Sequence, residues 1–153
     1  MVRVMKRLIL ASILALTSFA NAGTWKYELQ KNDFDGDRKI ALLSPDDSEL
    51  ELMITNEPSS GVYFLLPKGF LTSSDCTFCT ARVIADGQEV EPIKVLGSKN
   101  FKTYYLYSPR DRFIKLFEEN KVVKIQLPSF QGNRNLTFTQ KEKLDLNKLN
   151  NAK

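Results

Sequence analysis

Two cysteines three positions apart, in Cys76-Thr77-Phe78-Cys79, are the residues whose type and spacing most directly permit chemistry. Such a pair can form a disulfide, run thiol–disulfide exchange, or supply half of a zinc site. Structural zinc needs four soft ligands, and the chain has no third cysteine and no histidine. A redox pair of the thioredoxin type opens a helix, which lowers the pKa of the first thiol. Here the residues from Thr80 to Ala85 alternate like a strand instead. The pattern predicts a structural disulfide between Cys76 and Cys79, with a thiol-redox accessory role for the same pair as the lesser alternative. The loop is so short that the bond stabilises by at most about 2 kcal/mol. It pins a turn and not the whole fold.

The lack of histidine also excludes Ser-His-Asp and Cys-His couples, and any side chain whose unperturbed pKa lies near neutrality. No spacing of carboxylates, lysine or tyrosine replaces them. The sequence therefore predicts a non-enzymatic protein with no catalytic residues, no cofactor and no metal. Asp33-Phe34-Asp35-Gly36-Asp37 invites a calcium reading, but counting from Asp33 puts Arg38 at position six and Ser44 at position twelve. An EF-hand loop needs glycine and a bidentate glutamate there. An exposed acidic turn is expected.

What remains is recognition. In Phe101 to Tyr107, Phe101, Thr103, Tyr105 and Tyr107 share one strand face, and Tyr104 and Leu106 share the other. Lys102, Arg110 and Arg112 flank them. Aromatic residues with arginine are the composition that interface hot spots favour. Tyr104, Tyr105, Tyr107, Arg110 and Arg112 are the candidate partner-binding residues. The competing expectation is that both faces of this strand are buried in core.

The elements that would position these residues are mostly strands. Thr24 to Gln30 alternates, with Trp25, Tyr27 and Leu29 on one face. Arg38 to Leu43 and Glu49 to Thr55 follow, split by the turn chemistry of Ser44-Pro45-Asp46-Asp47-Ser48. Gly61 to Leu66 is a short apolar run. Thr80 to Ala85 and Glu89 to Val95 flank Asp86-Gly87, a strong hairpin dipeptide. After the aromatic strand, Ser108 is placed to cap a helix with Pro109 at its first position and Asp111 three residues after the cap. Phe113, Leu116 and Phe117 form its apolar face. Lys121 to Leu127 and Asn135 to Gln140 complete the set. Leu144, Leu146 and Leu149 are too few to define a face, so residues 141–153 read as a frayed polar tail. Eight or nine short strands with regular turns predict a mainly β domain over 23–140, an antiparallel sandwich or partly open barrel with one short helix.

Residues 1–22 have the layout of a secretory signal. Arg3, Lys6 and Arg7 precede an apolar run from Leu8 to Leu16, and Ala20-Asn21-Ala22 closes it with small residues at the cleavage positions. Ser12, Thr17, Ser18 and Asn21 interrupt the run well before the roughly 20 residues of a membrane span. Cleavage after Ala22 leaves 131 of the 153 residues, enough for one domain. The leader holds three of the 22 basic residues and none of the 18 acidic ones, so the remainder carries a formal charge of +1. Its lysines and arginines are dispersed among carboxylates, which argues against nucleic acid as a partner.

From about Phe70 to Phe138 the order of features resembles a group of small exported, often prophage-encoded, Gram-negative proteins of unassigned function. The matching residues are Gly69-Phe70, Cys76 and Cys79, Ala81-Arg82-Val83 and Asp86-Gly87. They continue with Arg112-Phe113-Ile114, Lys121-Val122-Val123-Lys124-Ile125 and Phe130-Gln131-Gly132-Asn133-Arg134, ending at Phe138. The architecture is also similar to that of periplasmic accessory proteins of type VI secretion. These resemblances imply a β-sandwich fold and bring no catalytic residues with them.

Together these readings predict a periplasmic or secreted binding module with no transmembrane span after leader removal. Its expected partner is a protein of the cell envelope: an envelope or secretion component, or an incoming enzyme to be neutralised. A structural or assembly factor of the envelope is the alternative. Mass spectrometry of the exported form should find a chain beginning at Gly23; an intact Met1 in the membrane fraction would overturn the leader reading.

Overall fold

The computed structural model of the chain describes residues 22–34, 36–57, 61–66, 78–98, 102–129 and 132–153. Nine strands follow the expected positions closely: β1 Lys26–Gln30, β2 Arg38–Leu43, β3 Glu51–Thr55, β4 Val62–Leu65, β5 Cys79–Ala85, β6 Gln88–Gly97, β7 Thr103–Leu106, β8 Val122–Leu127 and β9 Arg134–Thr139. Helix α1, Arg110–Glu119, lies between β7 and β8, and a second helix, α2, Leu146–Asn150, closes the chain. All strands join one antiparallel sheet in the order β1-β2-β3-β4-β7-β6-β5-β8-β9. This is the mainly β, antiparallel architecture that the alternation predicts.

Local chemistry sets the turns. Asp86 and Gly87 both hold positive φ, at 44° and 83°, and place Ala85 opposite Gln88. That is the two-residue turn whose twist suits a hairpin. The Asp86 carboxylate also accepts the Val122 N–H at 2.8 Å, so the same turn fastens the start of β8. Between Ala81 and Val83 the register shifts by one residue. The extra residue lies at Glu91-Pro92 of β6, a bulge that tolerates a proline with no N–H to donate.

The sheet curls until its two ends meet. Gly23 donates to Ser44 O and accepts from Lys141 N, while Asp46 N donates to Thr137 O at 2.7 Å. Gly23 has φ +77°, and a Cβ there would sit 2.1 Å from the Thr139 carbonyl oxygen, so only glycine fits this approach. The Asp46 carboxylate takes both the N–H and the hydroxyl of Thr139, and Asp47 takes the Thr137 N–H. Aspartates thus occupy donors that the β9 edge would otherwise offer to another chain.

Inside the curl the inward side chains meet α1. Phe113 stands edge-on to Phe64 of β4, and Phe117 edge-on to both Trp25 and Phe138. Beside this aromatic chain Gln140 is buried to 2% exposure. Its carbonyl oxygen accepts Trp25 Nε1–H at 2.6 Å and Leu144 N–H at 3.2 Å. Its amide donates to Phe117 O at 3.0 Å and Asn120 O at 2.7 Å. One side chain ties the entry to β1, the exit of β9, the end of α1 and the C-terminal segment.

The C-terminal segment differs from the expected frayed tail. Leu144 and Leu149 are buried, Leu146 packs against the core cluster, and the Asp145 carboxylate accepts from Asn147 N and Lys148 N as the cap of α2. Tyr27 Oη accepts the Asp145 N–H at 3.0 Å, and burial raises the pKa of that phenol. The three leucines are too few for a free-standing face, yet they suffice because β1 and β2 supply the complementary one. The start of α1 also differs. Ser108 Oγ accepts Lys94 N–H at 2.7 Å, tying the helix entry to β6, and Pro109 takes the cap position with no side-chain bond.

Gln140→Leu keeps the volume but leaves the Trp25 indole N–H and the Asn120 carbonyl without their partner, while Leu144 N–H and Phe117 O keep their bond to each other at 3.1 Å. Denaturant titration should show a loss on the order of 3 kcal/mol or more. A loss below about 1 kcal/mol would mean that water or neighbours replace the amide.

Candidate functional site

Side chains on the outer face of the sheet divide the molecule into two unlike halves. Because Leu52 and Ile54 point into the core, Met53 between them faces outward. Cross-strand pairing then builds one row from Leu42 through Met53, Tyr63 and Tyr105 to Leu96, crossing β2, β3, β4, β7 and β6. Between Leu42 and Leu96 the row contains no charge, although Met53 within it is only 6% exposed and Lys26 of β1 stands opposite Leu42 at its end. Tyr63 and Tyr105 meet edge-on at 5.3 Å. Burial, reinforced by the Glu57 carboxylate and opposed by Arg38, raises the Tyr63 pKa. At the β5 side Phe78 packs on Tyr107 with ring centroids 4.5 Å apart. Phe78, Tyr105 and Tyr107 remain 48%, 40% and 63% exposed.

The other half is polar. Arg82, Gln126 and Asn135 form one cross-strand row of β5, β8 and β9, and Ile84, Lys124 and Thr137 form the next. An alternating antiparallel sheet with one solvated face ordinarily looks like this second half throughout. The uncharged row is therefore the departure that needs a use.

The structure sorts the sequence candidates. Tyr105 and Tyr107 are outward and exposed. Tyr104 is not a surface residue: it is 1% exposed, and its hydroxyl donates to Pro128 O. Alternation along β7 makes this unavoidable, since a strand with Tyr105 outside must put Tyr104 inside. Arg110 and Arg112 also leave the candidate surface. Arg110 Nη2 donates to Thr55 O at 2.8 Å, and Arg112 pairs with Glu91 and donates to Pro92 O. These guanidinium groups tie α1 to β3 and to the β6 bulge.

Two aromatic members of the surface are absent from the sequence candidates. Tyr63 lies about forty residues from Tyr105, and only the β4–β7 pairing brings them together. Phe78 is hidden in the sequence inside the cysteine motif. Its φ of +59° is uncommon for a bulky residue and was the one feature no pattern could signal. Cys79 opens β5, half-buried against the core, while Cys76 and its pairing lie outside the described residues.

In the acidic turn, Asp37 accepts from Lys31 Nζ at 2.9 Å and from Asn32 N at 3.1 Å, and the Lys31 bond lowers its pKa. Asp35 lies outside the described residues. Asp37 thus closes its own turn, and no group of three metal-ligating side chains occurs among the described residues. No family model, curated protein or solved structure matches the chain.

Neighbouring tyrosines should respond oppositely to truncation. Tyr104→Ala removes a fully buried ring and should cost about 3–5 kcal/mol in denaturant titration. Tyr107→Ala should stay within about 1 kcal/mol of the parent. Equal losses would show that the outer row is also core.

Proposed function

We propose that this protein is an exported, non-enzymatic binding module that recognises a protein of the cell envelope through the outer aromatic face of its sheet. The observation that carries the reading is the uncharged row through Tyr63 and Tyr105, with Phe78 and Tyr107 exposed beside it. Tyrosine and phenylalanine offer large contact area with few rotamers to freeze, which is why they concentrate at interface centres. Strands β4 and β7 hold Tyr63 and Tyr105 in place. Phe78 and Tyr107 stack on each other just before β5 and just after β7, so little ordering is left for the moment of binding.

Export fits the same picture. Gly23, the first residue after the expected cut, is already bonded into the sheet closure through Ser44 and Lys141. A disulfide between Cys76 and Cys79 suits an oxidising compartment and would fix the chain immediately before β5, where Phe78 is presented.

The test is retention of an envelope partner from periplasmic extract by immobilised protein, compared with Tyr105→Ser/Tyr107→Ser. The double variant should keep its melting temperature and bind the same partner at least about fivefold more weakly, equivalent to about 1 kcal/mol or more. Unchanged retention by a folded double variant would overturn the assignment of the surface.

A further inference from the structure

On the polar half of the outer face, six side chains of β5, β8 and β9 line a half-open depression of about 310 Å³. That volume lies at the small end of ligand sites, enough for one molecule of about monosaccharide size. The lining is a grid set by strand pairing: Arg82, Gln126 and Asn135 in one row, Ile84, Lys124 and Thr137 in the other. Adjacent strands and alternate residues place these positions about 5 Å apart across the sheet and about 7 Å apart along it.

The hydrogen-bonding capacity of the grid is only partly used. Arg82 gives its Nε to Glu89 at 2.8 Å, so the fork nitrogens Nη1 and Nη2 remain outside that ion pair. Lys124 carries its charge on the central strand. Gln126 Nε2 donates to Asn135 Oδ1 at 2.9 Å, which leaves Gln126 Oε1 as an acceptor beside Asn135 Nδ2 as a donor. The Thr137 hydroxyl adds a group of both kinds, and Ile84 gives one apolar patch. Charge is limited on both flanks: Glu89 balances Arg82, and the Asp47 carboxylate lies at the β9 edge on the Thr137 N–H.

We infer that this depression binds a hydroxylated monocarboxylate of sugar-acid size. The carboxylate lies between the Arg82 fork and the Lys124 ammonium. Vicinal hydroxyls meet the donor–acceptor pair of Gln126 and Asn135, with Thr137 at the end, and the aliphatic face of the ring rests on Ile84. Glu89 and Asp47 disfavour anions of higher charge. The site is separate from the aromatic face and does not depend on the function assigned there.

Glucuronate is the probe, titrated into the purified protein by calorimetry and by amide chemical-shift mapping. Glucose serves as the neutral control, and acetate and inorganic phosphate as charge controls. Saturable glucuronate binding is expected, with shifts at Lys124, Gln126 and Asn135. Glucose, acetate and phosphate should each bind at least about tenfold more weakly. Lys124→Ala and Arg82→Ala should each weaken glucuronate by a similar factor at unchanged melting temperature. Asn135→Ala should narrow the preference for glucuronate over acetate. Tyr105→Ser/Tyr107→Ser should leave all of these values as they are. The inference is overturned by the absence of saturation with glucuronate, by equal binding of acetate or phosphate, or by glucuronate affinity indifferent to Lys124→Ala.

Discussion

The arrangement of the whole molecule depends on one buried amide. Gln140 has four hydrogen-bonding partners on three other segments, and of these the Trp25 indole N–H and the Asn120 carbonyl would be costly orphans without it. The Trp25 indole it orients stands edge-on to Phe117, through which α1 also reaches Phe138 and which packs on Phe113 one turn earlier in the same helix. A nine-stranded sheet whose first and last strands come together only on curling needs such a node. Hydrophobic burial is non-directional and would allow α1 to slide within the curl. Hydrogen bonds to the carbonyls of Phe117 and Asn120 fix where the helix stops.

The same end of the molecule carries the closure of the sheet. Gly23, Asp46, Asp47, Thr137, Thr139 and Lys141 bond across the gap between the first and last strands. Polar groups do this work because both partners are strand edges, whose backbone donors and acceptors must be satisfied somewhere. The buried amide and the polar seam adjoin each other in sequence through Thr139, Gln140 and Lys141.

Much of this architecture was legible in the sequence, because period-two alternation and turn chemistry are local. All nine strands and α1 fall where alternation, Asp86-Gly87 and the run from Phe113 to Phe117 place them. What was not legible is non-local. Residues 141–153 look like a tail because their leucines have no periodicity of their own, and their partner is β1, more than a hundred residues earlier. Gln140 reads as the polar end of a strand, since its four partners come from three other regions of the chain. The candidate surface is legible in half: alternation separates Tyr105 and Tyr107 from Tyr104 but cannot say which set is outside. Nor can it show that Tyr63 joins them, since strand order and not strand content decides that. Arg110 and Arg112 have an interface composition, yet their carbonyl acceptors on β3 and β6 exist only after folding.

The outward tyrosines owe their positions to the inward one. Tyr104 is held in the core and bonded by its hydroxyl to Pro128 O, which fixes the rotation of β7 about its own axis. With that rotation set, Tyr105 has one side of the sheet available and meets Tyr63, and the chain beyond Leu106 brings Tyr107 onto Phe78. A loop presenting the same rings would have to order itself against a partner, at a cost of about 0.5–1.5 kcal/mol for each immobilised side chain. On this strand the ordering has already taken place during folding. The buried phenol and the exposed ones are thus parts of one arrangement, in which core packing on one face sets the positions of the rings on the other.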